Sequence, residues 1–269
     1  MNADGRPPLA EILAATDQLR AAGWRVVDIA RQPAPSGAAL PIRAWCNADE
    51  VDDVLIGGIH GREPAGAVAL ARYVPRIVEL GRTRRLLVMP LLNPWGYLHD
   101  MRYGPSGQSV SDSDHLLGRA AAPACAEADA ITRFVMTGVR IQPGAGVLDL
   151  HEDPVYEAPD YRFDGDGSYF YIIGEGAAAR PAVGRVRDCL KRSRLPLVTD
   201  GVTRFGERLV EGAVVDSADG SIDELLARRL GSTPVITVET LVHAPDAPPL
   251  AARVEVHLAV LDAFFGGPA

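Results

Sequence analysis

Short apolar runs alternate with helix-period segments along most of this chain, and that alternation limits the folds it can adopt. The clearest unit begins with the apolar run VLIGGI, from Val54 to Ile59. Pro64 follows at a position suited to the first residue of a helix, and residues 65–80 place apolar side chains at helical spacing. Strands that are apolar throughout are typical of sheets covered on both faces. The pattern therefore predicts an α/β fold around a mostly parallel sheet.

The same patterns divide the rest of the chain. Predicted strands occupy residues 24–30, 41–46, 54–60, 85–92, 146–150, 169–174, 195–199 and 234–240. Predicted helices occupy residues 9–22, 64–80, 124–137, 178–193, 221–230 and 250–265. Residues 103–123 are rich in Gly, Ser, Asp and Pro, which predicts a long ordered loop of the kind that carries function. No repeat or change in composition marks a linker, so one domain over residues 1–269 is predicted.

Charge and cysteine content argue against several classes of protein. The net charge of −8 is unsuited to a nucleic-acid partner, because such binding needs clustered cations that displace counterions from phosphates. No apolar run approaches the roughly 18 residues of a membrane span, so no membrane association is expected. The three cysteines form neither a disulfide framework nor a CxxC knuckle, and the N-terminal segment lacks the features of a signal peptide. A cytoplasmic location is expected.

Three predicted strands end at side chains that can bind a metal ion or move a proton. His60 follows VLIGGI with Glu63 three positions on, His151 follows VLDL, and Glu239 ends VITVE. Ligands of open α/β sheets bind beyond the carboxyl ends of the strands, so these groups are expected to meet. A catalytic zinc needs three N or O ligands and one open position. Taken alone, His60-x-x-Glu63 is explained equally well by a strand-end histidine and a solvated glutamate that begins a helix.

Five short blocks then occur in an order known from one family of enzymes. They are GGIHGREPAG at 57–66, LLNPWGY at 91–97 with Arg102 behind it, LDLH at 148–151, ADGSID at 218–223 and TVET at 237–240. In these blocks the chain resembles the M14 zinc carboxypeptidases. The resemblance implies a three-layer α/β/α sandwich with a mixed central sheet. It also implies one Zn²⁺ ion held by His60, Glu63 and His151, with Glu239 as the general base and Arg102 as the cation beside the oxyanion.

Metal chemistry is consistent with those roles. Zinc lowers the pKa of a bound water from about 15.7 to about 7, so a nearby carboxylate such as Glu239 can take its proton and deliver it to a leaving amine. The negative charge that develops on the attacked carbonyl oxygen is stabilised by a fixed guanidinium, for which Arg102 is suited. We therefore expect a zinc-dependent hydrolase whose partner is a small peptide or peptide-like amide substrate.

One block departs from the family. Carboxypeptidases of this type grip the terminal carboxylate of the substrate with an Asn-Arg pair, whereas SVSDSDHLLG at 109–118 places Ser113 and Asp114 at those positions. An aspartate cannot bind a carboxylate in this way. We expect Asp112 or Asp114 to face the substrate and to select an amine-bearing or neutral group. The alternative is that an arginine elsewhere binds a substrate carboxylate, and the candidates are Arg62, Arg119 and Arg204.

A second departure precedes the GSID segment, where Val215 occupies the place of a family tyrosine. Within GSID, Ile222 and Asp223 compete as the residue that lines the side-chain pocket.

Asp149 is expected to contact a ligand histidine, since it lies two residues before His151 on the same strand face. Solvated loop positions are expected for His115, Glu152 and Asp153. Structural roles are expected for the histidines without partners at ligand spacing, His99, His243 and His257.

Two other functions remain open at this stage. An N-acyl-amino-acid deacylase of the aspartoacylase or succinylglutamate desuccinylase type shares the same set of His, Glu, His and Glu residues, although the GSID block favours the peptidase. A non-catalytic zinc-binding protein is conceivable because the Asn-Arg pair is missing, although Glu239 and Arg102 argue against it. Substrate identity, a second metal and the oligomeric state are not determined by the sequence.

Overall fold

Ten strands form one sheet within the residues that this computed structural model describes, which are 5–34, 37–155, 167–242 and 248–266. In chain order the strands are β1 (Arg25–Gln32), β2 (Leu40–Cys46), β3 (Glu50–Gly57), β4 (Leu86–Met89), β5 (Arg140–Asp153), β6 (Ser168–Ile173), β7 (Asp200–Val202), β8 (Arg208–Val210), β9 (Ala213–Val215) and β10 (Val235–Leu241). Across the sheet the order is β1-β2-β4-β3-β5-β10-β6-β9-β8-β7.

The sheet is mixed, and its centre is parallel. Neighbouring strands run parallel from β4 through β3 and β5 to β10. On one flank β2 is antiparallel to both β1 and β4. On the other flank β6 is antiparallel to β10 and parallel to β9, and β8 is antiparallel to both β9 and β7. The predicted α/β class is confirmed, whereas the expectation of a mostly parallel sheet holds only for the central strands.

Helices occupy the connections between the strands. In the described part of the chain they are α1 (Leu9–Ala21), α2 (Pro64–Leu80), α3 (Pro94–His99), α4 (Asp114–Leu117), α5 (Ala126–Arg133), α6 (Pro181–Arg192), α7 (Ile222–Leu230) and α8 (Leu250–Phe265). A short π-helical turn, Phe134–Gly138, extends α5. None of these helices combines the length and the apolar character that crossing a membrane would require.

Side chains of the central strands alternate between two hydrophobic clusters. Leu148 and Leu150 of β5 lie in the cluster that includes residues of α1, α2, α6 and α8. Val147 lies in the other cluster, with residues of α5 and α7. Successive strand residues point to opposite faces, so Asp149 and His151 share the face of Val147. On that face the apolar packing along β5 gives way to polar side chains toward the carboxyl end of the strand.

Some local predictions are wrong, for identifiable reasons. Residues 195–199 do not form the strand that was predicted there. Their pairing is limited to one isolated bridge, between Leu197 and Ser168. Strands β7, β8 and β9 have three residues each, which is too short to show a hydrophobic period. After β4 the chain turns into α3 at Asn93: Gly96 N donates to Asn93 Oδ1 at 2.9 Å, and Pro94 occupies the first helical turn.

Candidate active site

A close backbone contact shapes the turn that carries His60 and Glu63. The turn follows β3, and Gly61 lies so near Gly96 that a Cβ atom at position 61 would sit 1.9 Å from the Gly96 carbonyl carbon. Gly61 N also donates to Arg102 O at 3.2 Å. Only a residue without a side chain fits this contact. The turn reverses the chain within three residues, so that both candidate ligands reach the same point.

The three predicted metal ligands converge. His60 Nδ1 lies 2.9 Å from Glu63 Oε1, and His151 Nδ1 lies 3.0 Å from Glu63 Oε2. Potential ligand atoms of the three side chains all lie within 4.8 Å of one another. His60 Nδ1 is buried and lies close to Glu63 Oε1, but it forms no hydrogen bond among the described residues. Two imidazoles and one carboxylate that face a common point fit a divalent metal such as zinc.

A buried carboxylate orients the second histidine. Asp149 Oδ2 lies 3.2 Å from His151 Nε2, and the Asp149 side chain is fully buried. The Asp149 carboxylate therefore lies beside the Nε2 side of the ring, and His151 Nδ1 faces Glu63. The predicted contact between Asp149 and His151 is confirmed. Metal-binding histidines commonly use such a partner to fix the ring and its tautomer.

The charge states of His60 and Glu63 suit metal binding, whereas His151 differs: burial lowers its pKa, but the Asp149 carboxylate raises it well above its usual range. Burial lowers the pKa of His60 to about 4, so its imidazole is neutral at pH 7 and can donate a lone pair. Burial alone would raise the pKa of Glu63, but the neighbouring imidazole of His60 and the guanidinium of Arg102 hold it well below its usual range. Glu63 is therefore an ionised carboxylate in a buried position.

Arg102 approaches the cluster from the loop after α3. Its Nη1 atom donates to Glu63 Oε1 at 2.5 Å, and its guanidinium lies over the Tyr103 ring, 5.8 Å from the centroid. The backbone of Arg102 is held as well, since Asn93 Nδ2 donates to Arg102 O at 3.2 Å. The guanidinium is thus fixed beside the metal-binding cluster and lines the adjoining cavity.

Glu239 lies on β10, directly beside His151 in the register of the parallel pair. Its Oε2 atom is buried and has no hydrogen-bond partner among the described residues. Burial raises the pKa of Glu239 well above its usual range, although the charge of His151 opposes that shift. Because Glu239 also lines the cavity, its carboxyl group can exchange a proton with a molecule bound there.

A cavity of about 450 Å³ opens beside the cluster. Its walls are strongly acidic, and among the described residues that line it Arg102 is the one arginine or lysine. The carboxylates in its lining are Asp112, Asp149, Glu207, Asp219, Asp223 and Glu239. The size is that of an ordinary small-molecule site.

The structure separates the predicted substrate-binding residues into two groups. Asp112 and Asp223 line the cavity, whereas Asp114 and Ile222 do not. The Ile222 side chain is fully buried in the apolar cluster of α5 and α7. Asp114 begins α4 and lies 3.6 Å from Arg119. Asp223, rather than its neighbour Ile222, therefore borders the cavity.

The three arginines suggested for carboxylate recognition lie outside the cavity lining. Arg119 donates to both carboxylate oxygens of the buried Glu224, at 2.7 and 2.5 Å. Arg204 Nε lies 3.0 Å from Asp153 Oδ1. Arg62 Nε donates to the backbone oxygen of Asp100 at 3.0 Å. Each therefore has a contact away from the cavity.

Three residues expected in solvated loops are buried instead. Glu152 and Asp153 are each 2% exposed, because β5 continues through both positions. The Glu152 backbone N–H donates to Glu63 Oε2 at 3.2 Å, so this residue directly contacts a predicted metal ligand. The His115 side chain is 5% exposed, and its Nε2 lies 3.2 Å from Asp129 Oδ1. His257 is buried as expected of a structural residue, and His243 lies outside the described residues.

Some cavity residues could not be inferred from the sequence. Glu207 lies in the turn before β8, where Thr203 and Ser217 donate hydrogen bonds to its carboxylate. No motif or period marks it. Asp219, by contrast, belongs to the ADGSID block, and its placement in that block is the signal that could have identified it.

Comparison with solved structures shows the fold of metallo-carboxypeptidases. A putative metallopeptidase from Shewanella amazonensis matches with a TM-score of 0.73 and 21% identity, over 96% of this chain and 91% of that chain. A metallo-carboxypeptidase from Burkholderia cenocepacia matches with a TM-score of 0.60 and 16% identity, over 96% and 67% of the two chains. Similarity at these identities shows the shared fold.

A further similar structure is a succinylglutamate desuccinylase from Chromobacterium violaceum. It has a TM-score of 0.54 and 16% identity, over 94% of this chain and 76% of that chain. No protein-family model matches the sequence, and no curated protein matches it significantly. The fold is therefore common to both of the enzyme classes that the sequence analysis left open.

Proposed function

We propose that this protein is a zinc-dependent hydrolase of the M14 carboxypeptidase type that cleaves a C–N bond of a small peptide or peptide-like amide. The observation that carries the proposal is the meeting of His60 and His151 at the two oxygens of Glu63, beside the unpartnered Oε2 of Glu239. One Zn²⁺ ion is held by His60, Glu63 and His151 in this proposal. The catalytic unit is a single domain, residues 1–269, with helices on both faces of the sheet in three layers.

The roles of the other residues follow from their positions. Zinc, when bound, supplies an acidified water and a positive charge near the substrate carbonyl. Glu239 Oε2 takes the proton of the attacking water and returns it to the leaving nitrogen. The Arg102 guanidinium, which lies beside Glu63 and lines the cavity, stabilises the negative charge that develops on the carbonyl oxygen. The remaining cavity binds the rest of the substrate.

The test combines metal analysis with a substrate panel. We expect about one zinc per chain by elemental analysis and chelator-sensitive cleavage of at least one peptide with a free, amidated or amine-bearing terminus. Glu239→Gln is expected to lower kcat by about 10²- to 10⁴-fold while zinc content stays unchanged, since a general base contributes on that scale. Zinc bound without cleavage of any substrate would favour the non-catalytic alternative.

A deacylase is the second candidate, and a specific observation favours keeping it. The Asn-Arg pair that would anchor a peptide terminus is replaced by Ser113 and Asp114. In the described part of the chain, Arg102 is the one arginine or lysine that lines the cavity. N-acetyl and N-succinyl amino acids should be included in the panel. Cleavage of these compounds with no cleavage of any peptide would assign the protein to the deacylases.

A further inference from the structure

We propose that Arg6 is a positioning residue for the metal centre, because its guanidinium fixes the turn between the candidate ligands His60 and Glu63. The inference rests on the proposed function, since it concerns the same metal site. Arg6 precedes α1 and is 55 residues from Gly61, the residue of the turn that it contacts. Arg6 is not a candidate ligand itself, so its effect on a bound ion would act through the turn.

The Arg6 side chain is buried where a charged group needs partners. The residue is 2% exposed, and its Nη1 atom donates to Gly61 O at 2.9 Å and to Tyr97 O at 2.8 Å. Its Nη2 atom pairs with Asp100 Oδ1 at 2.5 Å. The guanidinium also lies over the Tyr97 ring, with its Cζ atom 5.3 Å from the centroid. Burial of a charge is costly unless the charge is paired and hydrogen-bonded, so these contacts hold the side chain in one position.

Gly61 is therefore held on both sides of its backbone. Its N–H donates to Arg102 O at 3.2 Å, and its carbonyl oxygen accepts from Arg6. Gly61 directly follows His60 and precedes Glu63 by two positions. A glycine restricts its own backbone angles less than any other residue, so the path of this turn depends on contacts from outside it. Loss of the Arg6 guanidinium releases one of those contacts between the two candidate ligands.

Arg6 also connects the turn to the segment that carries Arg102. Tyr97 O is one of the last carbonyl oxygens of α3, which lack a partner within the helix, and arginine side chains bind such oxygens. Asp100 directly follows α3, and Arg102 comes two residues later. The Tyr97 hydroxyl donates in return to Pro7 O at 2.8 Å. The segment before α1, the ligand turn and the end of α3 thus meet at one guanidinium.

A purely structural role for Arg6 is the alternative, and it predicts a different result. Removal of an arginine that only stabilises the fold lowers the free energy of unfolding, while the molecules that remain folded keep an unchanged metal site. Removal of a positioning residue changes the site in folded molecules. Zinc affinity and the geometry around the ion therefore separate the two roles, because both are measured on folded protein.

The experiment compares Arg6→Met with the unaltered protein. Zn²⁺ dissociation constants are measured by competition with a chromophoric chelator, and urea titration of the metal-free proteins gives the free energy of unfolding. We expect the dissociation constant to rise at least 10-fold, the scale seen when a group that orients a metal ligand is removed. We also expect the visible absorption bands of the Co²⁺-substituted protein to change, because these bands report the arrangement of the ligands.

Arg185→Met is the matched control. Arg185 of α6 also donates to two backbone oxygens, those of Ala263 at 2.7 Å and Phe264 at 2.6 Å. None of these three residues lines the cavity beside the metal-binding cluster. This variant should keep the zinc affinity and the Co²⁺ spectrum of the unaltered protein, whatever stability it loses.

Arg6→Gln decides the question if Arg6→Met does not fold, because the amide retains an N–H donor for one of the two carbonyl oxygens. Its zinc dissociation constant should rise at least 3-fold. A folded Arg6 variant that binds zinc within 3-fold of the unaltered protein would overturn the inference. Equal weakening of zinc binding in Arg185→Met would also overturn it, since that result would show a general effect of lost stability.

Hydrolysis of the peptide and acyl-amino-acid panel is measured separately on the same samples. If zinc binding depends on Arg6 but no substrate is cleaved, the positioning role stands and the proposed hydrolase function fails. If substrates are cleaved and the Arg6 variants bind zinc as the unaltered protein does, the hydrolase stands and the positioning role fails. An unaltered protein that binds no zinc would overturn both.

Discussion

The Glu152 carboxylate accepts a hydrogen bond from Ala65 N at 2.8 Å and thereby joins the end of β5 to the first turn of α2. The same carboxylate pairs with Arg253 of α8, and both side chains are buried. Glu63 immediately precedes α2, so this link bears on the position of a candidate metal ligand. The arrangement satisfies an N–H group of the helix start that would otherwise lack a partner.

Arg253→Met is expected to destabilise the fold strongly. It leaves the Glu152 charge buried and largely uncompensated, which typically costs about 3–5 kcal/mol. Arg194→Met is the control, because Arg194 forms a surface ion pair with Glu255, which is on α8 like Arg253. The two side chains are 74% and 57% exposed. Its effect should stay within about 0.5 kcal/mol. The free energy of unfolding of each variant is measured by urea titration. Similar losses of stability in Arg253→Met and Arg194→Met would contradict the prediction.

Asp149→Asn is expected to weaken zinc binding by about 10- to 100-fold, the usual effect of removing a carboxylate that orients a ligand histidine. The amide retains the shape of the side chain but loses the charge that faces His151 Nε2. Affinity is measured by competition with a chromophoric chelator. Asp53→Asn, a substitution on β3 of a carboxylate that pairs with Arg84 at 3.0 Å, serves as the control. Unchanged zinc affinity in Asp149→Asn would show that the contact does not tune the ligand.

Arg102→Met is expected to lower kcat by about 10²- to 10³-fold, as loss of one fixed donor to a developing oxyanion does. Arg102→Lys should recover only part of that loss, since a lysine cannot reproduce the planar guanidinium. Zinc content is determined for both variants, because Arg102 also contacts Glu63. A higher KM with an unchanged kcat would assign Arg102 to substrate binding instead.

Gly61→Ala is expected to destabilise the protein by about 1–3 kcal/mol and to reduce zinc affinity, because the new methyl group collides with backbone and the turn must shift. Gly184→Ala in α6 is the matched control, since a Cβ atom there would meet nothing within 4 Å. That substitution should stabilise the helix by about 0.5–1 kcal/mol. Thermal unfolding and chelator competition give both readouts. A tolerated Gly61→Ala would remove the argument that this contact shapes the ligand turn.

Much of the candidate site could be predicted from the sequence because its main residues are tied to local patterns. His60, Glu63, His151 and Glu239 each lie at or just beyond the end of an apolar strand, and the carboxyl ends of neighbouring parallel strands meet at one edge of a sheet. The central strands β3, β5 and β10 are parallel neighbours, so this reasoning held. Strands β7, β8 and β9 on one flank have three residues each and give no such signal.

Tertiary structure decided the rest, since burial and pairing depend on what packs against a residue. Ile222 and Asp223 are adjacent in sequence, but successive helix residues point in different directions, and the docking of α7 places Ile222 in the core and Asp223 at the cavity. Glu152 and Asp153 follow the predicted strand and read as a loop, yet β5 continues through them and buries them. Glu207 joins the cavity only because the turn before β8 folds back against Ser217. The sequence by itself determined the α/β pattern and the residues at the strand ends, whereas side-chain packing across distant segments determined which charges surround them.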